Sequence, residues 1–200
     1  MIDLIDKGGL ISWILIGLSI ITVAIIIFKF LHFWSIRLNN TKSVRKSLID
    51  IANDRPDIAV NTLKKSSNPI AKTTLYAITK IEEDGSDNAQ DSIKEQGNIT
   101  LAHLRRMLPW LDTIAHVAPL LGLLGTVVGM IKSFRQLEAA GVQVDVTMLA
   151  GGIWEALLTT AIGLIISMVA LIAVNTFEAQ LEKARMTMSI AISKLLELSR

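Results

Sequence analysis

Cysteine is absent from all 200 residues. That single absence excludes disulfides, thiolate nucleophiles and cysteine-ligated metals. The motifs HExxH, GxxxxGK[ST] and GxSxG are also missing, and no nucleophile–base pair, phosphate loop or metal-ligand spacing replaces them, so the reading is not an enzyme and needs no cofactor or metal. Neither strand alternation, nor an internal repeat, nor a low-complexity tract is present. Charge is scarce as well. Asp, Glu, Lys and Arg make up 19% of the chain, with a net charge of +2, and long stretches carry almost none of it. What fills those stretches is aliphatic. Half the residues are hydrophobic and the mean hydropathy is +0.49, too apolar for an ordinary soluble domain and typical of a membrane protein.

Crossing about 30 Å of hydrocarbon takes roughly 20 apolar residues in a helix. Three segments qualify, at residues 10–33, 110–132 and 146–177. The first lacks a basic leader and a small-residue cleavage site, so it reads as a retained anchor. Basic residues near the span ends give a direction. Arg37, Lys42, Arg45, Lys46, Lys94, Arg105, Arg106, Lys183 and Arg185 lie on one side, against Lys7, Lys132 and Arg135 on the other. The expected layout has a periplasmic N-terminus (1–9), a cytoplasmic loop (34–109), a periplasmic loop (133–145) and a cytoplasmic tail (178–200). The fold expected is therefore an all-α membrane protein of three transmembrane helices with a helical cytoplasmic loop.

That loop is broken at readable places. Asn68-Pro69 predicts an N-cap followed by proline at the first helical position. "EEDGSDN" at 82–88 predicts a turn with Asp87 capping the next helix. Helices of one to four turns are expected, docked on extensions of the second and third spans. The loop carries twelve basic and nine acidic residues in mixed order, a solvated helical surface and not a nucleic-acid-binding one. His32, Phe33 and Trp34 read as an interfacial aromatic belt, and Lys29 is expected to snorkel toward the headgroups.

Inside the spans, "HVAPLLGLLGTVVGMIKSF" (116–134) holds Pro119, Gly122, Gly125 and Gly129. Each glycine costs roughly 1 kcal/mol in a soluble helix interior, and the proline costs more. In lipid, small residues instead permit close helix approach, and a carbonyl released by proline is tolerable where a neighbouring helix or water satisfies it. "GGIWEALLTTAIGLIIS" (151–167) sets Glu155 about nine residues into the third span, where a carboxylate needs a protein interior or a wet cavity. Glu155, Thr159, Gly163, Ser167 and Ala170 share one side at helical spacing. Leu157, Ile162, Leu164, Ile165, Met168 and Leu171 suit lipid. In opposed helices Thr126 and Glu155 fall within one turn in depth, which makes Glu155, Thr126 and Thr160 a candidate ion- or proton-handling cluster. Asp112 and His116, an i, i+4 pair, read as a local hydrogen-bonded pair with no third ligand nearby.

"APLLGLLGTVVGMIKSF" (118–134), followed by "GGIWEALLTTAIGLIISMVALIAVNTF" (151–177), closely resembles the MotA/TolQ/ExbB proton-channel family, and the first span resembles that family's first span. Three spans and one large loop match the ExbB/TolQ branch. The resemblance implies a ring, usually a pentamer, in the bacterial inner membrane around a dimeric ExbD- or TolR-like single-span partner that supplies a proton-cycling aspartate. A TonB-like or TolA-like protein would take up the motion. Carried over, the pore-lining glutamate is Glu155 and the pore threonines are Thr126 and Thr160. Pro119, Gly122, Gly125, Gly129 and Gly163 form the helix-packing and pore stripe. Lys29 departs from the acidic–arginine pair that many relatives carry at the end of the first span. The function implied is proton-driven energising of TonB-dependent uptake, with Tol-linked envelope maintenance or a non-conducting scaffold as alternatives.

Overall fold

A computed structural model of the protein describes residues 9–140 and 146–199, and every described secondary-structure element is α-helical. The helices are α1 (Gly9–Ser35), α2 (Lys42–Ala52), α3 (Pro56–Lys64), α4 (Pro69–Asp84), α5 (Ser86–Arg105), α6 (Leu108–Ala140) and α7 (Val146–Leu198). Three of them are long and apolar enough to cross a membrane, over Leu10–Ser35, Leu108–Ala139 and Ala150–Leu198. The expected N-terminal segment 1–9 lies almost wholly outside the described residues, as do residues 141–145 of the expected loop at 133–145; residues 133–140 of that loop belong to α6.

The chain forms two compact units. One contains the residues through Ile27 together with Met107–Asn175. Here α1, α6 and α7 interlock through two apolar clusters. Leu15, Ile114, Ala118 and Ile166 make the first, and Leu111, Ala115, Ala170 and Val174 the second. Ile25 packs against both. The outward faces of the same helices are equally apolar. Leu120, Leu123, Val127, Leu157, Ile165 and Met168 are all at least 49% exposed, a pattern that suits a nonpolar surrounding, since water-soluble proteins rarely leave so much apolar surface uncovered. Ile162, expected to face lipid, instead packs against the first cluster; a position beside Gly163 is drawn into the α6 contact.

The other unit comprises Phe28–Arg106 and the residues from Thr176 onward. Asn68 caps α4, accepting from the Ile70 amide at 2.8 Å, with Pro69 in the first turn. Its amide nitrogen reaches the carbonyls of Arg37, Leu38 and Asn40 at 2.9, 3.2 and 3.0 Å. One buried side chain thus starts a helix and ties down the segment after α1. Asn68→Ala removes the cap and the side-chain donor of the buried Leu38 carbonyl, so it should cost about 2 kcal/mol; loss of helicity on heating, followed by circular dichroism, measures it.

Two expectations change here. Gly85, at φ +79°, occupies the N-cap position of α5, while Asp87 lies in the first helical turn. The positive φ that closes this turn suits glycine, and it moves the cap two residues upstream of the acidic side chain. Lys29 does not snorkel. It is 2% exposed, and its Nζ donates to the Leu104 carbonyl at 2.8 Å, 5.3 Å from the centre of the Phe33 ring. Leu104 sits in the last turn of α5, where carbonyls lack helical partners and carry the negative end of the dipole. A cation finds there what the headgroups would otherwise supply.

Docking of the loop on the extension of α7 is also visible. A Cβ on Gly97 of α5 would lie 3.4 Å from Met188 Sδ of α7, and Arg105 pairs with Glu178 at 3.0 Å. At 20 residues, α5 is longer than the four turns expected.

Candidate functional site: a polar seam between two membrane helices

The small residues of α6 and α7 meet each other. A Cβ on Gly122 would stand 3.0 Å from Thr160 Cα and 3.1 Å from the Thr159 carbonyl oxygen. One on Gly163 would stand 2.5 Å from the Ala118 carbonyl oxygen and 3.2 Å from Gly122 Cα. A Cβ on Gly125 would collide with the Thr159 side chain, and one on Gly129 would come within 2.8 Å of Ala156 Cβ. So Gly122, Gly125, Gly129 and Gly163 let two backbones of the same chain touch, the arrangement by which small residues hold helices together in lipid.

Close approach brings hydroxyls within reach of carbonyls on the facing helix. Thr160 Oγ1 donates to the Gly122 carbonyl at 2.8 Å. Ser167 Oγ donates to the Ala115 carbonyl at 2.5 Å. The second bond has a covalent cause. Ala115 is four residues before Pro119, whose ring nitrogen carries no hydrogen, so this carbonyl lacks its helical donor. Ser167 replaces it from across the seam. The sequence shows the proline and the need for a donor; it does not show that Ser167 is that donor. Ser167→Ala should destabilise the bundle by about 1–2 kcal/mol by leaving a buried acceptor unpaired. In a Pro119→Ala background, where the helix can close its own bond, the same change should cost much less. A double-mutant cycle on unfolding free energy reads the difference.

The remaining candidates flank this seam. Thr126 Oγ1 bonds back to the Leu123 carbonyl at 2.7 Å, and Thr159 Oγ1 bonds to Ala156 at 2.7 Å. Glu155 is partly buried and, among the described residues, has neither a hydrogen-bond nor an ion-pair partner. Gly125 faces Thr159 and Gly129 faces Ala156, so this register puts Thr126 level with Thr159 and Glu155 about one turn, roughly 6 Å, further along. A carboxylate in a membrane helix calls for a protein interior or a wet cavity, and none of the described residues pairs with this one. His116 Nδ1 lies 2.8 Å from the Asp112 carbonyl oxygen and 3.6 Å from its carboxylate, a local pair. No group of three potential metal-ligating side chains occurs among the described residues.

Comparison with known proteins adds the decisive observation. Residues 62–190 match the model of the MotA/TolQ/ExbB proton channel family, a stretch that contains the whole glycine–hydroxyl seam. The chain belongs to this family. A biopolymer transport ExbB-like protein of Synechocystis sp. is 30% identical over 175 residues, covering 86% of this chain and 82% of that one. The biopolymer transport protein ExbB of Salmonella typhimurium is 28% identical over 97% of this chain and 81% of its own length. The Tol-Pal system protein TolQ of Pseudomonas aeruginosa is 46% identical, but over 40% of this chain and 34% of its own. This ExbB/TolQ-type protein is thus a multi-pass membrane subunit of a channel and motor family.

Proposed function

We propose that the protein is the ring-forming, inner-membrane subunit of a proton-driven motor, oriented with its N-terminus in the periplasm and its 34–109 loop and tail in the cytoplasm. Several copies, five by family likeness, surround a single-span ExbD- or TolR-like partner. Glu155, with Thr126 and Thr160, offers protons a polar route to an acidic group on that partner. Protonation lowers the cost of moving the acidic group past apolar walls, and the cycle becomes motion delivered to a TonB-like protein. The observation that carries this reading is Glu155, a carboxylate about one helical turn from the seam threonines with no hydrogen-bond or ion-pair partner among the described residues. The glycine–hydroxyl seam gives each protomer a rigid α6–α7 pair on which such a group can be held.

Likeness to ExbB proteins over nearly the whole chain favours energised uptake. The higher identity to TolQ proteins over a shorter stretch supports a second reading, Tol-linked envelope maintenance. A deletion strain separates them: lost growth on iron chelates points to uptake, whereas detergent sensitivity with normal uptake points to the Tol system. Dissipating the proton gradient with an uncoupler should abolish the activity in either case. Activity that persists in de-energised membranes would leave the protein as a scaffold.

A further inference from the structure

A cavity of about 360 Å³ opens at the end of α1, lined by Phe30, Trp34, Arg37, Asn39 and Phe177 among others. Phe30 and Trp34 lie one turn apart on α1 and Arg37 follows just after its end, so the cavity wall passes from apolar to cationic. Phe177 meets Phe33 edge to face, 5.5 Å between ring centres, and closes the floor. Phe30 and Trp34 are 62% and 75% exposed. Arg37 is exposed and has no ion-pair partner among the described residues.

The backbone holding this arginine is unusual. Arg37 lies at φ +48°, where a helix end ordinarily uses glycine. Its amide donates to the Trp34 carbonyl at 3.1 Å and that of Leu38 to Phe33 at 3.2 Å, while Asn68 fixes the next carbonyls. Backbone bonds and a buried amide thus fix where this arginine leaves the chain, at the end of a 26-residue apolar helix. We propose that this cavity binds the headgroup and upper acyl chain of an anionic phospholipid from the surrounding bilayer. The guanidinium pairs with the phosphate in bidentate fashion, and the aromatic walls take the glycerol and first methylenes. No acidic residue lines the cavity, so the charge is complementary.

The test uses the full chain in nanodiscs, with Trp13, Trp110 and Trp154 replaced by phenylalanine so that Trp34 alone reports. Bromo-acyl phosphatidylglycerol should quench Trp34 with an apparent affinity about fivefold above that of bromo-acyl phosphatidylcholine, the preference expected of one basic group at a membrane surface. Arg37→Gly relaxes the backbone and Arg37→Gln does not, yet both should bring the ratio near one. Equal quenching by the two lipids in the parent protein overturns the proposal, as does a preference that survives both substitutions. Release of phosphatidylglycerol by millimolar inorganic phosphate would make this a free-anion site and overturn it too. Absence of quenching by either lipid would mean that a second copy of the chain covers the cavity, again overturning it.

Discussion

Gly163→Ile is expected to cost about 3 kcal/mol, the upper part of the range for inserting side-chain volume into a packed interior. The first added carbon would already stand 2.5 Å from the Ala118 carbonyl oxygen and 3.2 Å from Gly122 Cα. Both are backbone atoms of α6 and cannot swing aside as a side-chain tip can. Separation of the helices would also pull Thr160 from Gly122 and Ser167 from Ala115, removing two bonds that span the seam. Gly151→Ile is the matched control, because the first carbon added there meets nothing within 4 Å. Thermal unfolding of the two purified variants decides the matter. Equal stability would mean that the α6–α7 contact does not hold the bundle.

Glu155→Gln is expected to reduce proton-dependent activity at least tenfold while leaving expression and oligomer size unchanged. The two side chains have nearly the same shape, and Glu155 makes no hydrogen bond or ion pair within the described chain that the amide would break. What changes is the capacity to take up and release a proton. Glu155→Asp keeps that capacity on a shorter arm and should retain part of the activity. Thr126→Val, whose hydroxyl bonds among the described residues only within its own helix, should fold normally and reveal any role in the path by activity alone. Thr160→Val also breaks a helix–helix bond, so its activity must be read beside its stability. Full activity in the Glu155→Gln protein would remove Glu155 from the mechanism.

Much of this arrangement is legible in the sequence because membrane segments obey few rules. Apolar length announces three helices, and Asn68-Pro69 announces the start of α4 because cap chemistry is local. Pro119 announces an unpaired carbonyl for the same reason. Directions across space are harder. Glycines at 122, 125 and 129 say that something comes close, and only the fold identifies it as Thr159, Thr160 and Ala156 of α7. Lys29 reads as an interfacial cation because its acceptor, the Leu104 carbonyl, lies 75 residues away. The Asp87 expectation fails more simply: a glycine with positive φ took the cap position first.

The central claim is that this chain works with a second polypeptide whose intramembrane acid completes the proton path. Purification of the tagged protein from membranes in mild detergent, with every co-purifying protein identified, tests it most directly. The account predicts an oligomer that carries a small single-span protein with one acidic residue inside its apolar segment. A ring that comes down alone in repeated mild preparations, yet still conducts protons when reconstituted, would contradict it.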